Sequence, residues 1–324
     1  MLPSKVVLRA PNWIGDVVLS LPALRDLKRN FPGGQLSVLA RPWVAALYEA
    51  VAEVDAVVHS RGIRADADAI RGGYEAGVLF TNSFGTALSL ALSRIPERWG
   101  YATQARGPLL TRRARVPAAL RGRSQVYYYR AMLAGVGLKV SAAPDASLRC
   151  PEAWAARGAE LLGEGPVVGV NPGAAFGSAK QWIPARYAAA AERIAAERGA
   201  RVAILGGPAE RPLADAIAAA MRTPPLDLCG RTDLPGLVGV LARLDVLLTN
   251  DSGPMHLASA LGTPLVAIFG STDWRETAPA GPARQRVVRE DVECAPCMLR
   301  ECPIDHRCMT RVAVERVVAE ARAV

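Results

Sequence analysis

Lys5 to Lys28, KVVLRAPNWIGDVVLSLPALRDLK, is the stretch on which the reading of the fold turns. Lys5–Arg9 is a short run rich in aliphatic residues and predicts a strand. Pro11, Asn12 and Gly15 then break the run. From Ile14 to Asn30, Val17, Val18, Leu21, Leu24 and Leu27 recur at the spacing of one helix face. A strand, a tight turn and a helix in that order open a parallel, doubly wound sheet.

The alternation continues outward, with strands predicted at Leu36–Ala40, Ala56–His59 and Ala76–Phe80. It starts afresh at Val167–Val170, a strand that runs into Asn171-Pro172-Gly173. A helix follows at Pro184–Arg198, with proline at its first position. Next come a strand at Arg201–Leu205 ending in Gly206-Gly207-Pro208, a helix, a second helix at Pro235–Leu244 and a strand at Asp245–Leu248. A helix at Pro254–Leu261 and a strand at Pro264–Phe269 complete the pattern. Pro144, Pro151, Gly163, Gly165 and Pro166 interrupt regular structure over 138–165, so the linker is expected there. The expectation is an α/β protein of two Rossmann-like domains, 1–155 and 156–324, facing a central cleft, the GT-B architecture. The last helix is allowed to pack back on the first domain. Ligands of such sheets bind beyond the carboxyl ends of the strands.

With 324 residues and 51% of them hydrophobic, both domains can bury a full core. There is no run of about 18 or more uncharged apolar residues and no signal-peptide pattern at the start, so a cytoplasmic protein is expected. The net charge of +9 is unevenly placed. Residues 1–150 hold 20 Lys/Arg and 10 Asp/Glu, whereas 151–324 hold 19 and 20. A one-sided basic surface suggests an anionic partner; the arginine bias of a GC-rich genome accounts equally well for the total, though less well for the asymmetry. No helix-turn-helix, zinc-finger or aromatic RNA-binding signature is present, so nucleic acid is not the expected partner.

Three loops can carry chemistry. The first is Ala10-Pro11-Asn12-Trp13-Ile14-Gly15-Asp16. An Asp16 carboxylate in the first turn of a helix can take a proton from an attacking hydroxyl, or merely complement the helix dipole. The second is Asn171-Pro172-Gly173-Ala174-Ala175-Phe176-Gly177-Ser178-Ala179-Lys180-Gln181-Trp182. Its small residues let backbone N–H groups near Gly173 reach phosphate oxygens, and Lys180 adds a positive charge. It is neither a P-loop nor Gly-x-Gly-x-x-Gly, so ATP hydrolysis and nicotinamide chemistry lose support. The third is Thr249-Asn250-Asp251-Ser252-Gly253-Pro254-Met255-His256. Asp251 and Ser252 can cap the following helix, but Asp251, Ser252, Gly253 and His256 together offer the hydrogen-bonding groups a sugar requires. Glu210, after Gly206-Gly207-Pro208-Ala209, suits ribose hydroxyls or a plain helix start. Thr232, in Gly230-Arg231-Thr232-Asp233-Leu234, lies on a loop that can line a base pocket or only turn the chain.

PNWIGDVVLSLPALRDLK, NPGAAFGSAKQWIPARYA, LGGPAE and TNDSGPMHLASALGTPLVAIFGSTD, in this order and spacing, resemble glycosyltransferase family 9 over nearly the whole chain. The NPGAxFGxAKxW form is most similar to the heptosyltransferase II branch. The resemblance implies a GT-B fold, an ADP-heptose donor, inversion at the anomeric carbon and an acceptor made of the growing inner core on lipid A. Carried over by position, Asp16 becomes the base and Lys180 the lysine on the donor phosphates. Glu210 becomes the ribose acid, Thr232 the adenine-side residue, and Asp251, Ser252, Gly253 and His256 the donor loop. The residue type at the position of Thr232 varies in the family. Asn12 is expected on the acceptor side. So is the basic stretch 94–123, expected to be loop or short strand, with Arg112, Arg113 and Arg115 as the acceptor-docking residues. A lipid-borne acceptor implies peripheral contact with the inner face of the inner membrane.

Asp66-Ala67-Asp68 has the look of a metal-binding Asp-x-Asp, but it opens a helical stretch and reads as a capped helix start. No cofactor and no catalytic metal are expected. Cys294, Cys297, Cys302 and Cys308, with His306 among them, are spaced closely enough for a zinc site, for disulfides or for free thiols. Two alternatives to the main reading stand: a family 9 transferase with another donor or acceptor, and a non-enzymatic protein that binds anionic ligands.

Overall fold

The computed structural model describes residues 3–324, in two compact units that divide between Ala146 and Ser147. The first unit contains β1 (Lys5–Arg9), α1 (Ile14–Arg29), β2 (Gln35–Ala40), α2 (Pro42–Glu49), β3 (Ala56–His59), α3 (Ile63–Ala69), β4 (Ala76–Leu79), α4 (Phe84–Leu92), β5 (Glu97–Tyr101), β6 (Arg112–Ala114) and α5 (Gln125–Gly135). The second contains α6 (Glu152–Leu162), β7 (Val167–Asn171), α7 (Pro184–Arg198), β8 (Arg201–Ile204), α8 (Arg211–Ala220), β9 (Leu226–Asp227), α9 (Leu234–Leu241), β10 (Val246–Asn250), α10 (Gly253–Leu261), β11 (Leu265–Phe269), α11 (Trp274–Thr277), β12 (Gln285–Arg289), α12 (Arg307–Thr310) and α13 (Val314–Arg322).

Each unit is built on one six-stranded sheet, and every strand pair is parallel. The orders are β3-β2-β1-β4-β5-β6 and β12-β11-β10-β7-β8-β9. Numbered from its own first strand, each sheet has the Rossmann order 3-2-1-4-5-6. The order reverses between β1 and β4 in one sheet and between β7 and β10 in the other. Crevices open at such reversals, because the chain leaves neighbouring strands in opposite directions.

The central strands are buried on both faces, as covered parallel sheets require: Val6, Val7 and Leu8 on β1, and Val246, Leu247 and Leu248 on β10. In the first unit a buried ion pair ties α5 to α1, with Arg130 Nε 2.9 Å from Asp26 Oδ2, while Ser141 N donates to Asp26 Oδ1. α13, the last helix, packs on α7, β11 and β12 of the second unit. The stretch 94–123 supplies β5 and β6 as well as loop. Asp66 serves the start of α3, where its carboxylate accepts from Arg61 N, Gly62 N and Ser60 Oγ at 2.7–3.1 Å.

Candidate functional site

In the second unit the β7 and β10 ends meet in one hydrogen-bonded network. Asn250 Nδ2 donates to Pro172 O (2.5 Å), and its Oδ1 accepts from Trp182 N (3.0 Å) and the Tyr187 hydroxyl (2.8 Å). Both flanks of the loop 172–182 are thereby pinned to the last residue of β10. Lys180, on a single 3-10 turn at Ser178–Lys180, reaches Asp251 Oδ2 at 2.6 Å. The same oxygen accepts from Thr272 Oγ1 (2.6 Å) and Thr277 Oγ1 (3.2 Å). The Lys180 ammonium also lies 4.9 Å from the centre of the Phe176 ring. The cation is therefore fixed in place before any ligand arrives.

Ser252 caps α10, accepting from Met255 N, and also accepts from Asn171 Nδ2 at 3.2 Å. Gly253 is the first residue of α10, so the helix N-terminus faces this network. His256 is 4% exposed, and its Nδ1 finds no hydrogen-bond partner among the described residues. Burial pushes its pKa down to about 4, with the Asp251 carboxylate opposing the shift and the Lys180 ammonium adding to it. His256 is thus a neutral imidazole at physiological pH.

Glu210 closes the neighbouring turn after β8. Its carboxylate accepts from Gly207 N and lies against the Gly173 backbone, where a Cβ would collide with Glu210 Oε1. Only glycine at 173 allows that approach. Thr232 follows the Gly230 turn, which is bonded to the Glu210 turn through Gly230 N and Gly206 O at 2.8 Å. The structure therefore brings Gly173, Lys180, Glu210, Asp251, Ser252, Gly253 and His256 to one sheet edge, with Thr232 on the loop beside them.

A segment not tied to this edge in the sequence reading supports it. Arg300 O accepts from Ala179 N at 2.9 Å, and His306 Nε2 lies 3.0 Å from Ala179 O. Gly177, at φ +156°, sits so close to Arg300 that a Cβ would strike its carbonyl. The cysteine-rich segment 294–308 is thus a brace on the Lys180 turn. Burial pushes the Cys308 thiol up to about 11, with Cys294, Cys297 and Cys302 adding to the shift. Among the described residues, no group of three or more His, Cys, Asp or Glu is placed to hold a metal ion.

In the first unit, Asp16 lies in the first turn of α1, just past the carboxyl end of β1. The Tyr129 phenol shares a hydrogen bond with it, and the Tyr48 phenol is close by. Burial raises Tyr129 well above the ordinary phenol value, with Asp16 and Tyr48 adding to the shift, so it stays a protonated donor. Asn12 is held from below by the buried Arg9, whose Nη2 donates to Asn12 Oδ1 at 3.1 Å.

The basic stretch divides. Arg106 is 0% exposed and spends its guanidinium on Tyr101 O, Thr81 O and Asn82 Oδ1. Arg98 bonds Leu109 O and Ile95 O. These two arginines are structural pins and not part of a docking face. Arg112, Arg113 and Arg115 are exposed. Arg112 pairs with Glu97 at 3.4 Å and lies over the Trp99 ring. β6 is three strands from β1, roughly 14 Å at the usual strand spacing. Arg41, directly after β2, is topologically nearer to Asp16, and the sequence reading passed over it.

The Glyco_transf_9 model, described as glycosyltransferase family 9 (heptosyltransferase), matches residues 63–307. Lipopolysaccharide heptosyltransferase 2 of Salmonella typhimurium is 30% identical over 309 residues, covering 88% of each chain. Lipooligosaccharide heptosyltransferase 2 of Campylobacter jejuni is 27% identical over 328 residues, covering 98% of this chain and 97% of its own. The solved structure of E. coli ADP-heptose lps heptosyltransferase II superposes with a TM-score of 0.84 at 26% identity, covering 98% of both chains. Two parallel six-stranded sheets with interleaved helices and this likeness make the fold class GT-B-like. The chain is a glycosyltransferase and belongs to glycosyltransferase family 9, the heptosyltransferases.

Proposed function

We propose that this enzyme moves heptose from ADP-heptose to the inner core of lipopolysaccharide, with inversion at the anomeric carbon. The observation that carries the reading is the second sheet's edge. There a fixed ammonium, a helix N-terminus and a carboxylate on Gly173 lie together, matching the diphosphate and ribose of a nucleotide sugar. The second unit takes the donor and the first takes the acceptor.

Asp16 accepts the proton of an acceptor hydroxyl as that oxygen attacks the anomeric carbon. The bond to ADP breaks in the same step, and its electron pair leaves with the diphosphate. Lys180 and the N–H groups at the loop and helix starts face the charge that builds there. Asp251, with its two threonine donors, holds Lys180 in register. Glu210 binds the ribose and Thr232 borders the adenine. Asn12, Arg112, Arg113 and Arg115 are assigned to the acceptor, whose phosphates and carboxylates suit guanidinium groups.

Peripheral contact with the cytoplasmic face of the inner membrane is part of the proposal. The exposed arginines of the first unit support it, and no helix among the described residues is long and apolar enough to cross a membrane. The test is to incubate the protein with ADP-heptose and a core acceptor, following ADP release and acceptor mass. A gain of one heptose residue is expected. Transfer from UDP-N-acetylglucosamine, with ADP-heptose inert, would overturn the donor assignment.

A further inference from the structure

The carboxyl edge of the first sheet carries a row of exposed apolar side chains. In the order β3-β2-β1-β4 the helices after these strands begin with Ile63, Trp43, Trp13 and Phe84, which are 42, 58, 64 and 46% exposed. Trp13 caps α1, Trp43 is the second residue of α2, and Ile63 and Phe84 open α3 and α4. Isolated exposed hydrophobics are ordinary, but grouped aromatic side chains at strand ends mark a binding surface. The four fall into two pairs. Trp43 Nε1 donates to Asn12 O at 2.8 Å, next to Trp13, and the Ile63 side chain rests on Gly85, next to Phe84.

Two features choose the occupant. The Trp43 N–H is spent inside the protein, so the indole is held in one orientation and offers its ring. An aromatic anchoring at a bilayer surface keeps its polar handle for the headgroup layer. A fixed indole face instead suits the C–H face of a pyranose, whose hydroxyls reach for polar groups at the ring's rim, here those of the Asn12 loop. The surroundings are also cationic. The Arg41 guanidinium lies 5.7 Å from the centre of the Trp43 ring, and Arg61, just before α3, and Arg64, in its first turn, are exposed. Asp16 stands three residues after Trp13, so an acceptor sugar that gives it a proton has to lie along this edge.

We propose that Trp13 and Trp43 form an aromatic platform for one sugar ring of the acceptor saccharide, with Arg41 meeting an acidic substituent of that saccharide. The inference rests on the reading that the first unit receives the acceptor. The platform sets which acceptor is held, whereas Asp16 acts on the hydroxyl presented.

The test uses a deacylated core saccharide, Trp13→Ala, Trp43→Ala and the double variant Trp13→Phe/Trp43→Phe. Each alanine variant is expected to raise KM for the saccharide about tenfold or more while KM for ADP-heptose stays within about twofold. The double phenylalanine variant, which keeps flat rings, is expected to recover most of the loss and to melt close to the wild type. Adding saccharide should quench wild-type tryptophan fluorescence, and much less so in the double phenylalanine variant. Saccharide KM unchanged in both alanine variants, or equal rises for donor and acceptor, would overturn the platform. So would a fluorescence response to phosphatidylglycerol vesicles with none to the saccharide, which would mark a membrane anchor. Quenching by saccharide in a wild type that transfers no heptose would remove the functional reading and leave the platform standing.

Discussion

The two sheets share one strand order, yet their switch points are furnished with different groups. At β1 and β4 the groups shown around Asp16 are phenols: Tyr129, bonded to the carboxylate, and Tyr48 beside it. At β7 and β10 the centre is an ion pair, Lys180 with Asp251, braced by Thr272 and Thr277. The Tyr129 phenol, which stays protonated, gives the Asp16 carboxylate a neutral donor. A diphosphate site needs fixed positive charge, and a buried lysine needs an anion to keep it charged. On the proposed reading the same topology serves both tasks, because the strands set only the place. The residue types in the loops set the charge.

The sharpest way to break this contrast is Asp16→Asn. It should lower turnover by about 10²–10⁴-fold while ADP affinity stays nearly unchanged. Activity within about threefold of the wild type would end the assignment of Asp16 as base. Lys180→Ala comes next. Diphosphate charge is present in the bound donor and grows in the transition state, so ADP affinity should fall and the chemical step slow further. A loss of about 10²–10³-fold in kcat/KM is expected, comparable to removing one preorganised donor from a developing anion. Chelation with EDTA should leave wild-type activity in place; strict dependence on added Mg²⁺ would contradict the role given to Lys180.

His256 gives a pH signature that belongs to the second switch point. Its pKa is near 4 in the folded chain, against an ordinary 6.5. The unfolded chain therefore binds the proton first. The stability that comes from keeping this imidazole neutral is complete above pH 6.5 and drains away as pH falls toward 4, by about 3 kcal/mol in all. Urea unfolding of the wild type and of His256→Gln should show their stability difference shrinking across that window. Parallel curves would mean that the imidazole is not buried neutral. The smallest effect is expected for Gly173→Ala. The added methyl has to displace the Glu210 carboxylate, a strain of about 1–2 kcal/mol, and KM for the donor should rise about tenfold with little change in saccharide KM. Equal shifts in both would loosen the link between Glu210 and the donor.

Much of the fold can be read from the chain where a strand is an unbroken apolar run. Lys5–Arg9, Ala56–His59 and the helix Pro184–Arg198 have the same bounds in sequence and structure, because apolar runs there stop at proline, glycine or charge. The edge strands β6 (RRA), β9 (LD) and β12 (QRVVR) carry no such pattern, being short or interrupted by arginine, with side chains largely exposed or half-buried; β3 is also an edge strand, but its AVVH run is apolar enough to read. The three candidate loops are legible because each follows a recognisable strand. Their partners are not. Nothing near Asp16 in the chain points to Tyr129, which comes from α5, and Arg106 looks like any other arginine of its stretch until its carbonyl partners are seen. Trp13 and Trp43 carry no periodic signal. They become a row only once β2 is known to lie beside β1.

The brace on the Lys180 turn bears on how this enzyme can be re-engineered. Ala179 and His306 are 127 positions apart, yet they share a bond, and Gly177 has room only for the Arg300 carbonyl. The stretch 171–182 is therefore not a portable cassette. A chimera that imports this loop from a relative, with the aim of changing the donor, has to import 294–308 as well. Insertions or deletions in either stretch constrain the other. The two segments can be exchanged only as a pair, one early in the second unit and one near its end.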